Sequence, residues 1–179
     1  MSYVKAFWND LKVASVIPSS KYLVQRSVDS MNLSQAKTIV EYGAARGVMT
    51  REILKQMSPD ATLLAIEFNT DLFSELKSLT DPRLKVFNGD VREIDKILAY
   101  HQISGVDSIV SGVPFAFFDK PEREELLNKT WRSLNKDGRF VAYQVTPHLI
   151  PLMKDRFSQV DVQWEVRNLP PHFVFTALK

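Results

Sequence analysis

The sequence has no cysteine among its 179 residues, which excludes disulfides, thiol nucleophiles and thiolate metal sites and suits a reducing compartment. Its histidines, His101, His148 and His172, show no metal-ligand spacing, so no metal site is expected. No run of about 18 apolar residues occurs, so no membrane-crossing helix is expected. Met1 to Lys12 alternates charged and apolar residues without the uninterrupted apolar centre of a signal peptide, and none is expected. An excess of one charge is also missing: a net charge of +2 is far from the basic stripe of a dedicated nucleic-acid binder. No linker-like stretch divides the chain, and at 45% hydrophobic it can bury one sizeable core.

What is present is organised around Thr38-Ile39-Val40-Glu41-Tyr42-Gly43-Ala44-Ala45-Arg46-Gly47. A β-branched run ends in a carboxylate, a small-residue turn follows, and Val48 to Lys55 begins a helical pattern, which reads as strand, tight turn, helix. Small residues let a ligand approach the backbone, and N–H groups at a helix start point toward it. Spacing disfavours two phosphate-binding loops: the dinucleotide fingerprint would need glycine where Ala45 and Val48 stand, and a P-loop would need Lys-Ser/Thr after Gly47. Glu41 would repel a pyrophosphate and attract a cationic or hydroxyl-rich ligand, a description that S-adenosylmethionine fits.

The pattern then repeats. Ala61 to Glu67 reads as a buried strand ending in a carboxylate, and Arg83 to Asn88 as a strand followed by Gly89-Asp90-Val91. Ligands of α/β sheets lie beyond the carboxyl ends of the strands, which brings Glu41, Glu67 and Asp90 to one crevice. There Glu67 would accept both ribose hydroxyls, while Asp90 would accept an adenine amine with the next N–H, that of Val91, meeting a ring nitrogen. Asp90 serves equally well as the N-cap of a helix from Val91 to Tyr100. A fourth strand, Val106 to Ser111, leads into Gly112-Val113-Pro114-Phe115. Phe117 and Phe118 read as core residues after a Gly-Pro turn, Phe115 less so. A helix from Pro121 to Leu134, a turn at Asn135 to Gly138, a fifth strand from Arg139 to Val145, a helix from Pro147 to Arg156 and strands at Val160 to Val166 and His172 to Leu178 complete an α/β alternation.

The start of the chain carries an amphipathic pattern from Tyr3 to Ser15, with Val4, Phe7, Trp8, Leu11 and Ala14 on one face. It packs on the domain in one reading and lies in a membrane interface in the other, where Phe and Trp beside lysines are at home. Pro18 ends that element, and Ser19 or Ser20 caps a second helix through Leu23, Val24, Val28 and Met31. The expected organisation is an N-terminal helical part, residues 1–35, as cofactor lid and membrane contact, and one domain over residues 36–179.

The Glu41 to Gly47 turn resembles motif I of class I S-adenosylmethionine-dependent methyltransferases, with Ala45 at the middle glycine and Ala44 where proline is common. Glu67 and Asp90 resemble motifs II and III, and Gly112 to Phe115 resembles motif IV, with Gly112 in place of the usual Asn or Asp. Val16-Ile17-Pro18-Ser19-Ser20, V-D-S-I-V-S-G-V-P from Val106 to Pro114, and Arg167 to Val174 resemble the soluble bacterial phospholipid N-methyltransferases, which are similar to rRNA adenine dimethylases. Tyr22-Leu23 matches the aromatic-leucine pair of the dimethylases.

The resemblance implies a Rossmann-like α/β fold, a seven-stranded mostly parallel sheet with helices on both faces and a final antiparallel strand. It implies S-adenosylmethionine held by Tyr22, Glu41, Gly43, Ala45 and Gly47, together with Glu67, Asp90, Val91 and Ser111. Ser111, Gly112, Pro114 and Phe115 would form the acceptor site, a backbone carbonyl of Ser111 or Gly112 replacing the missing side chain. The implied activity is N-methylation of an aminophospholipid headgroup by a cytoplasmic protein peripheral to the inner face of the membrane. RNA is the less favoured partner, and a methyltransferase fold that binds without turnover stays open.

Overall fold

The strands at Thr38–Tyr42 and Thr62–Glu67 form on runs rich in β-branched and aliphatic residues and are buried on both faces, as inner strands of a parallel sheet are. The computed structural model describes residues 19–179, so the expected helix from Tyr3 to Ser15 and its membrane contact lie outside the described residues. In chain order the elements are α1 (Lys21–Asp29), β1 (Thr38–Tyr42), α2 (Val48–Gln56), β2 (Thr62–Glu67), α3 (Thr70–Lys77) and β3 (Leu84–Asn88). A 3-10 turn at Val91–Glu93 leads into α4 (Ile94–Tyr100), followed by β4 (Val106–Ser111) and a second 3-10 turn at Phe115–Phe117. Then come α5 (Lys120–Ser133), β5 (Leu134–Gln144), α6 (Leu149–Lys154), β6 (Gln159–Glu165) and β7 (His172–Leu178).

The seven strands lie in the order β3-β2-β1-β4-β5-β7-β6. β3, β2, β1, β4 and β5 are parallel, whereas β7 inserts antiparallel between β5 and β6. The order reverses between β1 and β4, and a crevice at that point is where open α/β sheets bind ligands.

Alternation along the strands supplies two cores. Ile39, Leu63, Val110 and Val141 face α1 and α2 through Leu23, Val28, Met49 and Ile53. Val40, Leu64, Ile109 and Phe140 face α4, α5 and α6 through Ile97, Leu127 and Met153. Each such fully buried side chain contributes about 1.5–3 kcal/mol relative to exposure, so the two-sided pattern accounts for the layering. Ser20 caps α1 by accepting the Leu23 N–H, and its own N–H donates to Asn168 Oδ1 at 2.8 Å, tying the helix start to the segment before β7.

Two local expectations change. Asn135 to Gly138 is taken into β5 as an irregularity: Leu134 pairs with Val106, the register shifts, and Arg139 pairs with Ser108, with Asp137 at φ 62. The helix expected from Val91 opens as a 3-10 turn and becomes α-helical at Ile94. Among the described residues no helix is long and apolar enough to cross a membrane, and no group of acidic or histidine side chains is arranged to hold a metal.

Candidate functional site

The turn after β1 takes a left-handed backbone at Gly43 (φ 72), Ala45 (φ 47) and Gly47 (φ 73). Glycine adopts this region freely, while the Cβ of Ala45 meets the steric penalty that L-residues carry there. A Cβ added at Gly43 would stand 3.1 Å from Val113 Cγ2, so this glycine lets the β1 and β4 ends approach closely. The turn amides are less free than a bare strand-turn-helix suggests. Gly43 and Ala44 donate to the Ile66 carbonyl, and Gly47 donates to that of Ala44.

Glu67 takes the next amide. Its Oε2 accepts from Ala45 N–H and its Oε1 from Asn69 N–H, each at 2.8 Å, with the side chain nearly fully buried. Burial raises its pKa, and the N–H groups of Asn69, Ala45 and Phe68 oppose that rise. Glu41 is buried as well and accepts the Thr50 hydroxyl at 2.6 Å. Desolvation, opposed by Thr50 and augmented by the nearby Glu67 charge, pushes its pKa from 4.5 up to about 7.

Asp90 performs the capping role: Oδ1 accepts the Arg92 N–H at 2.9 Å, and Oδ2 pairs with the Arg92 guanidinium, which also reaches Glu122. A crevice at the switch point is lined by Gly43, Ile66, Phe68, Gly89, Asp90 and Val91 on the β1–β3 side and by Arg92, Val113 and Phe118 opposite. Arg92 lies over the Phe118 ring at 5.9 Å, so the pair forms one wall. Sequence reasoning missed both residues; the Arg two positions after Asp90 was the available signal.

Tyr22 lies elsewhere. Its ring sits under the Arg167 guanidinium at 4.2 Å and lines a groove of about 600 Å³ between α1 and the β6–β7 face. That groove is larger than the switch-point crevice, but its Arg26 and Arg167 both pair with Glu165, and it lacks the strand-end turn that would seat a nucleoside. The crevice is therefore the better cofactor site.

On the acceptor side, Ser111 is buried and its hydroxyl accepts the Val113 N–H at 3.2 Å. Gln144, which sequence reasoning did not single out, fastens the loop: its Oε1 accepts from Phe115 N–H at 3.0 Å and its Nε2 donates to the Val113 carbonyl at 2.9 Å. Pro114 precedes the 3-10 turn. Phe115 is fully buried in edge-to-face contact with Phe118 and Phe140, while Phe117 is 65% exposed. The expectation holds for Phe118, which is buried, and is reversed for Phe115 and Phe117, because residues i and i+3 of a 3-10 turn share a side and Phe117 falls outside it. Tyr143 stands beside Gly112, and its ring meets that of His172 at 6.3 Å.

The crevice lining supplies a close-approach glycine, Gly43, one carboxylate, Asp90, beside the Val91 N–H, and no lysine, while Glu41 and Glu67 are buried outside that lining; on Gly43, Asp90 and Val91 the residues present fit S-adenosylmethionine. Residues 14–119 match the family described as ribosomal RNA adenine dimethylase. The ornithine lipid N-methyltransferase of Singulisphaera acidiphila is 31% identical over 170 residues, covering 93% of this chain and 88% of that protein. Ribosomal RNA small subunit methyltransferase H of Bacteroides fragilis is 34% identical over 103 residues, covering 56% of this chain and 33% of its own length. Among solved structures, the 1,6-didemethyltoxoflavin-N1-methyltransferase of Burkholderia thailandensis with bound S-adenosylhomocysteine superposes with a TM-score of 0.72 at 17% identity, covering 99% of this chain and 85% of that one.

Proposed function

This chain belongs to the ribosomal RNA adenine dimethylase family and is an S-adenosylmethionine-dependent methyltransferase, and from that premise we propose that it methylates the amine of a lipid headgroup. The observation that carries this reading is coverage. The family match, residues 14–119, takes in the Ser111 to Phe115 loop but ends before β5 and β7, whereas the lipid methyltransferase relative is similar over 93% of the chain. The net charge of +2 also supports it, since RNA binding draws on many phosphate contacts.

In this reading Gly43 admits the cofactor to the backbone, Glu67 accepts the ribose hydroxyls and Asp90, beside Val91, the adenine amine, with Glu41, Ala45 and Gly47 shaping the methionine end. Bound S-adenosylmethionine would supply an electrophilic sulfonium methyl to the lone pair of a neutral amine. The residues from Ser111 to Pro114 and from Tyr143 to Thr146 include no charged side chain, so the acceptor end favours a neutral amine, the form that has a lone pair. Orientation and exclusion of water are then the protein's contribution. The segment from Tyr3 to Ser15 would hold the chain on the bilayer, placing the enzyme at the inner face of the membrane.

Methyl-labelled cofactor offered with ethanolamine-lipid vesicles, ornithine-lipid vesicles and small-subunit ribosomal RNA tests this. Label is expected in lipid extract, and the chain lacking residues 1–15 is expected to stop co-sedimenting with anionic vesicles. Label confined to RNA would reverse the reading.

A further inference from the structure

By its resemblance to motif IV, Gly112 stands where Asn or Asp is usual, yet the space beside it is filled. Ser111 of β4 pairs with Ala142 of β5, so the residues that follow, Gly112 and Tyr143, are neighbours across the two strands. A Cβ built on Gly112 would overlap the Tyr143 hydroxyl oxygen and come within 2.8 Å of Cζ and 3.3 Å of Cε2. The phenol therefore occupies the volume into which a side chain at 112 would project. A polar group carried by β5 stands where one carried by β4 would.

Several contacts hold the ring there. It packs against the core facing α1, meets the His172 ring, and has the Ser19 hydroxyl as a hydrogen-bonding neighbour. The next residue, Gln144, binds the Val113–Phe115 loop, so the tyrosine and the acceptor loop are fixed to one strand end. Glu41 and Glu67 both act electrostatically on the phenol, which places it at the junction of the cofactor and acceptor sides. Burial first, and then these carboxylates, raise its pKa, so the hydroxyl stays neutral and keeps lone pairs to accept with and a proton to donate.

We propose that the Tyr143 hydroxyl is the polar group of the acceptor site, accepting a hydrogen bond from an N–H of the incoming amine and so aiming the nitrogen lone pair toward the cofactor methyl. This rests on the acceptor being an amine, as proposed above. The geometry also explains Gly112: any side chain there would displace the hydroxyl. The Ser111 and Gly112 carbonyls then assist rather than replace the missing side chain.

The test uses sinefungin, a cofactor analogue with an amine where S-adenosylmethionine carries the transferring methyl, and thus needs no acceptor. S-adenosylhomocysteine, which lacks that group, is the control. Calorimetric titration of the full chain and Tyr143→Phe is expected to leave S-adenosylhomocysteine affinity within about twofold and to weaken sinefungin about tenfold, ~1.4 kcal/mol, the scale of one hydrogen bond to a charged group. An unchanged ratio of the two affinities overturns the proposal, and so does an equal loss for both ligands, which marks a packing role. Gly112→Ala, which keeps the phenol but displaces its hydroxyl, is expected to show the same selective loss and decides the matter if Tyr143→Phe melts without cooperativity. Labelled transfer separates this inference from the headgroup reading. Native protein that labels no lipid, with the sinefungin preference still lost in the variants, defeats the headgroup and leaves Tyr143 standing. Lipid labelled at full rate by Tyr143→Phe, with the preference intact, does the reverse.

Discussion

The two sides of the crevice are built from different chemistry. The β1, β2 and β3 ends present Glu41, Glu67 and Asp90, and each carboxylate is already engaged by a hydroxyl, backbone amides or a guanidinium. The β4 and β5 ends present neutral polar groups, Ser111, Tyr143 and Gln144, around a glycine. A cationic, hydroxyl-rich cofactor needs the first kind of surface, and an amine that must lose its charge before reacting needs the second. Gly43 is where they meet, since its missing side chain leaves the space that Val113 approaches.

The largest way to break this division is Gly43→Val. A β-branched side chain at φ 72, pressed on Val113, strains the turn and separates the two sides. S-adenosylmethionine affinity is expected to fall about 100-fold or more, the equivalent of ~2.7 kcal/mol; calorimetric titration checks it, and near-native binding would mean that the close approach is unimportant.

A middle-sized effect belongs to Glu41. Its folded pKa, pushed up to about 7 from 4.5, means that the folded chain holds a proton the unfolded chain releases, so the contribution of this group to stability falls as pH rises from about 4.5 to about 7. Glu41→Gln, which can still accept from Thr50, is expected to stabilise the unliganded protein at pH 8 by up to about 3 kcal/mol and to change little at pH 4. Denaturant unfolding at both values reads this, and an equal effect at the two would remove the linkage. The cationic cofactor should nonetheless bind Glu41→Gln more weakly than the native chain.

The smallest effect is at Ala45. Relief of its left-handed strain in Ala45→Gly is expected to be worth about 1 kcal/mol in the fold, offset in part by the greater freedom of glycine when unfolded. Cofactor affinity should rise several-fold in titration while the acceptor side is untouched, the sinefungin to S-adenosylhomocysteine ratio staying constant. A changed ratio would show that the two sides are coupled through the turn.

Much of the cofactor side was legible in the chain. Thr38 to Tyr42 and Thr62 to Glu67 are continuous apolar runs closed by carboxylate positions, and they form β1 and β2 where the pattern places them. Asp90 was legible as a strand-end acid and equally as a cap, and it serves both places: it caps the following turn and lines the crevice. The acceptor side was less legible. Phe115 and Phe117 differ in burial because of a single 3-10 turn after Pro114, a detail of three residues that periodicity averages away. Tyr143 carries no local signal, since within β5 it is one aromatic after the apolar run Phe140-Val141-Ala142.

By itself the sequence determined the α/β alternation, the two-sided burial of the central strands, and the recurrence of acids at three strand ends, because each depends on residues adjacent in the chain. Tertiary structure alone decided that β7 enters between β5 and β6, that the Glu67 carboxylate reaches back to the turn after β1, and that Tyr143 fills the space beside Gly112. Those are consequences of strand order and register, which bring residues 22 and 31 positions apart into contact through hydrogen bonding and packing that no local pattern encodes.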